Sequence, residues 1–595
     1  GLGLGLGLGL GLGLGLGLSV SLSDALAQEM QKAEEPDEVG LIRFWPELTS
    51  NSADPLALTV AKFRPDNPLI TAKELKGSRP YCFTVTVRNN QPVLGRVSFD
   101  SSEVYYGKHV PLQIPNTRGK WKRLSFFFRS APGTTGATLQ FGKVPDGGSL
   151  EVKEHHLRIA SEAEFTKAWK RWRSRYPERD REARPNDGIN LQRFIGLLQE
   201  TPPGVDKLLV YGIGSSYTNM LGNGEQLVQW VQEHFANAPE IVYKKHVGSA
   251  VAYDFTRGWM RQLVLGEKPD LVILYSEGTG SDLEKLLKDF RSHSAADVIV
   301  ASLHLRERAK ENTPETVNNE QWKEVRAVAE RYKCEWVDNR VEHAAYLTQH
   351  EKPIEWLLKD AVHQSDHGAL VINENIMRHI APKSDSTSIE LLEALPEKTN
   401  AYRVDLYGKY SPKGKVSKVR INGAPADEFP AFVTTVIVSD AKNNKPARGS
   451  AADRSPHLAR LGDLEKIIPQ TWTIKMTSDT GDYELIGSVS GKDGGGNNAN
   501  DVTSDSGQII VPTALWRRRI NKDGSHANLT GDVFTCEVKQ STISEVDFKD
   551  PQDEPFRVTL RYQLPQTDIA IEVDQPKPGE GEITGYDLMH PALAK

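Results

Sequence analysis

An apolar run in the middle of the chain ends in two glycines and two serines: Lys207-Leu-Leu-Val-Tyr-Gly-Ile-Gly-Ser-Ser-Tyr-Thr218. Such a run is typical of a buried strand, and the glycines predict a tight turn directly after it. Between about residues 186 and 385, further apolar runs alternate with helical patterns. These runs are Ile241–Tyr243, Leu271–Tyr275, Val298–Leu303 and Cys334–Val337. The alternation predicts an α/β fold with a doubly wound parallel sheet, in which sites lie at the carboxyl ends of the strands.

A second segment brings an acid and a histidine close together: Leu358-Lys-Asp-Ala-Val-His-Gln-Ser-Asp-His-Gly368. Ser216 follows the first predicted strand and His363 follows the last, so we expect both at the same edge of the sheet. A serine on a sharp turn, a histidine that accepts its proton and a carboxylate, Asp360, that orients the histidine are the parts of a hydrolytic triad. Simpler interpretations remain open, because serine is common in turns and Asp360 also fits as a helix cap.

Together the two segments resemble the SGNH (GDSL-like) hydrolases. The first block of that family, Gly-Asp-Ser-x-Thr, is matched by residues 214–218, with Ser215 in place of the aspartate. The last block, Asp-x-x-His, is matched by residues 360–363 and is followed by a predicted helix from Gly368. The resemblance implies an SGNH-type central domain in which Ser216 is the nucleophile, His363 the general base and Asp360 its partner.

The resemblance also implies which groups stabilise the oxyanion: the backbone N–H groups of Ser216 and Gly248. The third block of the family, Gly-x-Asn-Asp, supplies an asparagine amide, but here Gly280 stands where that asparagine is expected. Loss of one oxyanion donor costs about 10²–10³ in rate. We therefore expect Thr279, Ser281 or a backbone N–H to take its place in an active enzyme.

Other histidines and acids near these blocks have weaker functional readings. His246 and His304 follow predicted strands, where they would line the cleft or serve as structural histidines. Asp366 and His367 are expected to be solvated loop residues. The pair His155-His156 has no third ligand at metal-binding spacing, so we predict no metal and no other cofactor.

The flanking regions are predicted to be β-rich. In residues 41–160, short runs of alternating apolar and polar residues are typical of a β-sandwich. The region weakly resembles jelly-roll carbohydrate-binding modules, and the segments that match are Tyr81–Val87, Trp121–Phe128 and Ser149–Leu157. Trp45, Tyr105, Tyr106 and Trp121 offer flat faces for sugars, or are core and rim aromatics. Residues 161–185 predict an amphipathic connector helix. Residues 386–595 predict a second β-rich region of unknown role, with a flexible glycine-rich connection at 491–498.

The ends and the composition of the chain bear on its location and partners. Residues 1–27 resemble a secretory signal, with a membrane anchor or a sequence added in cloning as alternatives. A secreted or periplasmic protein is expected, with no membrane contact after signal removal. The net charge of −6 without a long basic face predicts no nucleic-acid partner. Cys82, Cys334 and Cys536 lie in strand-like runs and predict buried free thiols.

The leading functional hypothesis is therefore a secreted carboxylic-ester hydrolase. It would remove O-acyl groups, in the first place acetyl, from a polysaccharide or glycoside with Ser216, His363 and Asp360. One alternative is a catalytically inactive glycan-binding protein on the same scaffold, which the missing asparagine motivates. Another is an O-acyltransferase. The sequence does not determine the acyl group, the glycan or the oligomeric state.

Overall fold

The computed structural model describes a large part of the chain. It covers residues 38–41, 57–58, 70–101, 103, 109–141, 147–248, 255–256, 259–260, 263–306, 319–384, 389–437, 439–440, 445–446, 456, 459–516, 518–562 and 568–590. The predicted leader 1–27 and the aromatics Trp45, Tyr105 and Tyr106 lie outside the described residues.

The amino-terminal region consists of two sheets that share one hydrophobic core. The strands are β1 (Glu38–Leu41), β2 (Ala57–Leu58), β3 (Ile70–Lys73), β4 (Pro80–Asn89), β5 (Val93–Ser101), β6 (His109–Ile114), β7 (Lys122–Arg129), β8 (Thr134–Phe141) and β9 (Leu150–Ile159). The sheet orders are β1-β7-β4-β9-β2 and β3-β8-β5-β6. Alternate residues of β4 and β5 face the shared core, as in Phe83 and Val85 of β4 and Val97 of β5. The region is therefore β-rich, as predicted.

The central region contains a five-stranded sheet in which all strands are parallel. The strands are β10 (Lys207–Gly214), β11 (Glu240–Val247), β12 (Leu271–Tyr275), β13 (Asp297–Ala301) and β14 (Glu335–Val337), in the order β11-β10-β12-β13-β14. The predicted α/β fold with a parallel sheet is confirmed. Because the strand order reverses after β11, right-handed crossovers place the helices on both faces of the sheet.

Eight α-helices connect and cover these elements within the described residues. They are α1 (Glu162–Arg173), α2 (Gln192–Gln199), α3 (Ser216–Asn219), α4 (Glu225–His234), α5 (Gly280–Arg291), α6 (Glu320–Arg331), α7 (Asn339–Gln349) and α8 (Asp366–Arg378). Helix α4 packs against α8, and α5 packs against α6. His363 follows β14, the last strand of this sheet, as predicted, and α7 and a 3-10 helix, Ile354–Leu357, lie between the strand and this histidine.

Helix α1 ties the amino-terminal sheets to the central domain. It is shorter than the predicted connector 161–185 and begins with a capping box formed by Ser161 and Glu164. Its aromatic residues Phe165, Trp169 and Trp172 are buried against Cys82 of β4 and against α8. The helical spacing of these three residues therefore predicted the packing face correctly. None of the described helices is both long enough and apolar enough to cross a membrane.

The carboxyl-terminal region is β-rich but has two separate cores. Its strands are β15 (Arg403–Lys409), β16 (Val416–Ile421), β17 (Ala424–Pro425), β18 (Phe432–Ile437), β19 (Ser439–Asp440), β20 (Lys445–Pro446), β21 (Arg460–Leu461), β22 (Gln470–Met476), β23 (Asp482–Gly487), β24 (Gly491–Asn497), β25 (Val502–Thr503), β26 (Ile509–Val511), β27 (Val533–Gln540), β28 (Glu545–Asp547), β29 (Pro555–Arg561), β30 (Ile571–Val573) and β31 (Glu582–Met589). One core combines residues 401–426 with residues 546–586, and the other contains residues 459–538.

The glycine-rich segment at 491–498 is a strand rather than the predicted flexible connection. It forms β24, which pairs with β23 in an antiparallel ladder. A Cβ atom at Gly495 would lie 2.3 Å from the carbonyl oxygen of Tyr483, so glycine permits this close pairing. The three cysteines, Cys82, Cys334 and Cys536, are buried and free, as predicted.

Candidate active site

The turn after β10 fixes the backbone in front of Ser216. Gly214 adopts φ +155°, and a Cβ atom there would lie 2.2 Å from Thr218 Oγ1 and 2.4 Å from the carbonyl oxygen of Tyr275. Only glycine fits such a close approach. The short helix α3 begins at Ser216 itself, so this serine lies at the carboxyl end of the sheet.

The segment that carries Asp360 and His363 is a short closed loop. A bridge joins Leu358 to Gln364, and the N–H of Lys359 donates to the carbonyl of His363. Asp360 Oδ1 accepts the backbone N–H groups of Val362 and His363 at 2.9 and 2.7 Å. The aspartate therefore shapes the loop besides contacting the imidazole. The alternative role as a helix cap does not hold, because Ser365 caps α8 and Asp360 accepts only N–H groups of its own loop.

The three predicted residues contact each other in series. His363 Nε2 lies 2.9 Å from Ser216 Oγ, and His363 Nδ1 lies 3.0 Å from Asp360 Oδ2. Because a carboxylate only accepts hydrogen bonds, Nδ1 donates to Asp360 and Nε2 accepts the serine O–H. The imidazole side chain is 20% exposed, and Ser216 is partly exposed, so a ligand can reach both.

The loop geometry keeps Asp360 ionised. Its partial burial acts to raise the pKa of the carboxyl, but the hydrogen bonds from Val362, His363 N–H and the imidazole outweigh burial and hold this pKa below its ordinary value. The charged form is the one that accepts a hydrogen bond from Nδ1–H. Asp360 is thus suited to orient His363 at neutral and moderately acidic pH.

Gly248 does not offer the free N–H that the resemblance implied. Its N–H donates to the carbonyl of Gly214 at 2.7 Å, because the parallel ladder between β10 and β11 continues one residue past Val247. The predicted oxyanion role of Gly248 is therefore wrong for this arrangement. The N–H of Ser216 lies in the first turn of α3, where no intrahelical acceptor is available, and it stays a candidate donor.

The third block forms a helix start instead of an amide donor. Thr279 caps α5 by accepting the N–H of Asp282, and its hydroxyl donates to the carboxylate of the same residue. Gly280 is the first residue of α5 and brings no side chain to the cleft. The sequence allowed Thr279 to replace the missing asparagine, but its hydroxyl is engaged in the helix cap and is not free to do so.

Sequence reasoning missed Tyr217 and Arg306 at this edge of the sheet. The ring of Tyr217 lies 5.4 Å from the ring of His363, and its hydroxyl accepts a hydrogen bond from Arg306 at 3.0 Å. Arg306 also forms a bidentate ion pair with Glu277. The sequence signal that could have identified Arg306 is its position shortly after the predicted strand Val298–Leu303, where charged residues reach the carboxyl edge of the sheet. The pair places one cation beside the residue that follows Ser216.

Of two further histidines, His367 does not have the predicted place, and His246 takes the structural role that the sequence left open. His367 is buried in α8, where Tyr346 bonds its Nε2 at 3.0 Å and Tyr176 stacks on it, so it is not a solvated loop residue. Asp366 is the first residue of α8, not part of a loop. His246 is buried and stacks on Tyr211 in the interior. The described residues contain no group of three or more His, Cys, Asp or Glu side chains arranged to hold a metal ion.

Comparisons with known proteins give a partial likeness. A scan against protein-family models finds no match, and a search of curated proteins finds no relative. A solved structure described as a GDSL-like lipase from Parabacteroides merdae covers 31% of this chain and 100% of its own, at 15% identity and a TM-score of 0.25. An acetylxylan esterase from Geobacillus stearothermophilus covers 30% of this chain and 95% of its own, at 18% identity and a TM-score of 0.25.

A third solved structure is similar over the same share of the chain. It is an α/β hydrolase enzyme from the metagenome of Lake Arreo, which covers 30% of this chain and 96% of its own, at 19% identity and a TM-score of 0.24. Likenesses of this size do not assign a family. The α/β class of the central domain rests on its own parallel sheet.

Proposed function

We propose that the protein is a serine hydrolase of SGNH type that cleaves carboxylic esters. The observation that carries the proposal is the 2.9 Å contact between His363 Nε2 and Ser216 Oγ, with Asp360 on the opposite nitrogen of the same ring. An alcohol, an imidazole and a carboxylate in this order are the parts of a nucleophilic acyl-transfer site.

The contacts support the following reaction. Ser216 Oγ attacks the ester carbonyl while His363 Nε2 accepts its proton, and the carbonyl oxygen becomes an oxyanion. The imidazolium then protonates the leaving alcohol, and an acyl-Ser216 ester remains. A water molecule gives its proton to Nε2 and attacks this ester, which releases the acid and restores the serine O–H. Asp360 holds Nδ1–H throughout and stabilises the charged ring.

Stabilisation of the oxyanion is the weaker half of the proposed site. Of the two predicted donors, only the N–H of Ser216 is still available, since the N–H of Gly248 is engaged, and Gly280 brings no side-chain amide. Without a side-chain amide donor, we expect a rate about 10²–10³ below that of a site with one more donor.

For the substrate, we propose an O-acetylated carbohydrate met outside the cell. The location outside the cell rests on the signal-like segment 1–27. The carbohydrate rests on the β-rich flanking regions, and there on the sequence pattern of residues 41–160 alone. It follows that simple acetate esters should be cleaved more slowly than an acetylated glycan that fills the cleft.

A glycan-binding protein without catalysis is the second candidate function. The observations that favour it are the engaged N–H of Gly248 and the absence of an amide side chain at Gly280. In that case Ser216 and His363 would contact a bound hydroxyl or ester without turnover.

Turnover of 4-nitrophenyl acetate by the purified chain separates the two functions. An enzyme releases 4-nitrophenol, is labelled by a fluorophosphonate at Ser216, and loses both properties in Ser216→Ala. The control is Ser292→Ala, which replaces an exposed serine and should keep both turnover and labelling. Absence of turnover and of labelling in the unchanged protein rejects the hydrolase and leaves the binding protein. Acetate release from acetylated xylan and other acetylated glycans then tests the substrate class.

A further inference from the structure

A fully buried histidine, His304, contacts the loop that carries Asp360 and His363. It lies beyond the end of β13, and its side chain is completely shielded from solvent. His304 Nε2 lies 2.9 Å from the carbonyl oxygen of Val362, the residue directly before His363. On the other side of the ring, His304 Nδ1 lies 2.6 Å from the hydroxyl oxygen of Tyr275, the last residue of β12.

These two partners fix the protonation state of the ring. Burial lowers the pKa of His304 to about 3, so the imidazole is neutral. A carbonyl oxygen only accepts, so Nε2 carries the single proton and donates it to Val362. Nδ1 is then an acceptor, and Tyr275 donates to it, which agrees with the raised pKa that burial gives to this phenol. The chain of donors runs from β12 through His304 to the loop.

Besides the contact between His363 and Ser216, two hydrogen bonds among the described residues tie this loop to the sheet edge. At one end, the amide of Gln364 donates to the carbonyl of Tyr217 at 3.0 Å, next to Ser216. In the middle, His304 holds the Val362 carbonyl. The hydrogen bonds of Asp360 lie within the loop and do not fix its distance from Ser216. His304 is thus the inner anchor of a loop whose outer side, including Asp360, faces solvent.

We propose that His304 is a positioning residue: its Nε2–H holds the backbone at Val362, and this sets the distance between His363 and Ser216. The inference rests on the proposed hydrolase function, and His304 itself touches no substrate because it has no exposed surface. A displacement of about 1 Å in a reacting group can cost roughly 10²-fold in rate. The expected signature is a lower kcat with an unchanged KM.

Two amide variants of similar polarity test the proposal. The amide nitrogen of glutamine takes the place of Nε2, so His304→Gln keeps a donor for the Val362 carbonyl. The shorter asparagine places its amide near the Nδ1 position, so His304→Asn keeps a polar partner for Tyr275 but cannot reach Val362. Both variants carry the same loss of the ring, and circular dichroism and thermal melting compare their folding.

The expected result with 4-nitrophenyl acetate is a split between the two variants. His304→Asn should lower kcat by about 10- to 100-fold with KM within about two-fold, and His304→Gln should stay within about five-fold of the unchanged protein. Equal losses in both variants, or an unchanged kcat in His304→Asn, would overturn the proposal. A loss that appears only in KM would also overturn it.

Hydrogen exchange of a peptide that covers residues 358–364 is measured in parallel, because it does not depend on turnover. Exchange should become faster in His304→Asn than in His304→Gln, and equal exchange in the two rejects the anchor. If the unchanged protein neither hydrolyses esters nor reacts with a fluorophosphonate, that result rejects the proposed hydrolase function. The exchange comparison then still decides whether His304 holds the loop.

Discussion

His363 Nε2 lies 2.9 Å from Ser216 Oγ, although 147 positions of sequence separate the two residues. Ser216 begins the short helix after β10, the second strand in the order of the sheet. His363 lies on a loop that follows α7 and precedes α8. The two segments meet because both return to the carboxyl edge of one parallel sheet, where the strand order reverses. The predictions below follow from this contact and from the packing that maintains it.

Substitution of Asp360 should separate its charge from its role in the loop. In Asp360→Asn, the amide oxygen still accepts the N–H groups of Val362 and His363, but the negative charge beside the imidazole is lost. We expect kcat on 4-nitrophenyl acetate to fall by about 10²–10⁴ while exchange of the loop amides stays unchanged. Asp360→Ala should lower kcat as well and also speed exchange. A fully active Asp360→Asn enzyme would exclude the orienting role.

Gly214 should not tolerate a side chain. A Cβ atom would lie 2.2 Å from Thr218 Oγ1, and φ is +155°, so Gly214→Ala must shift the turn in front of Ser216. We expect the free energy of unfolding to fall by about 1–3 kcal/mol, with a loss of activity. Gly266→Ala is the control, because a Cβ there meets no atom within 4 Å and should change stability by less than about 0.5 kcal/mol. Urea unfolding followed by tryptophan fluorescence measures both.

Replacing one partner of the ion pair between α1 and α8 should destabilise the protein. Arg173 Nε lies 2.6 Å from Glu374 Oε1, and the two side chains are only 6% and 4% exposed. Among the described residues, Arg173→Met leaves Glu374 only the more distant Arg179, at 3.8 Å, as an ionic partner. Glu374→Leu leaves Arg173 only the exposed Glu178, at 3.5 Å. Each change should lower the free energy of unfolding by at most about 3–5 kcal/mol. The double variant should lose less than the sum. A double-mutant cycle from urea unfolding tests this, and additive losses would contradict the coupling.

The buried Lys245 should make the free energy of unfolding rise with pH above neutrality. Its ammonium donates to the carbonyl of Gly222 at 2.9 Å, and burial lowers its pKa from 10.5 to about 7, against the attraction of Glu225. Between these values the unfolded chain binds more protons than the folded protein. Stability should therefore rise with pH from about 7 to 10, by at most about 1.4 kcal/mol per pH unit from this group.

The measurement compares wild-type protein with Lys245→Met by urea unfolding between pH 7 and 9.5. The difference in the free energy of unfolding, wild type minus variant, should increase with pH, because only the wild type releases a proton on folding in this range. Parallel pH dependence in the two proteins would show that Lys245 is charged in the folded state.

Much of the central fold was predictable because parallel strands are buried on both faces. Leu271–Tyr275 is apolar throughout and was identified with the bounds that the structure has. The bounds of β11 were less accurate, since the strand continues from Tyr243 to Val247 through Lys245 and His246. A lysine and a histidine inside a buried strand break the apolar pattern. The structure accommodates them with hydrogen bonds and stacking that no periodicity reveals.

The sequence by itself determined the parallel α/β domain and the residues that meet at its edge, because strand periodicity and the positions of Ser216, Asp360 and His363 after apolar or helical runs are local properties. Only the tertiary structure decided which donors are free. The N–H of Gly248 extends a ladder, Thr279 caps a helix, and His304 reaches the Val362 carbonyl. Each hydrogen bond takes the acceptor that packing brings within about 3 Å, and that distance depends on the whole fold.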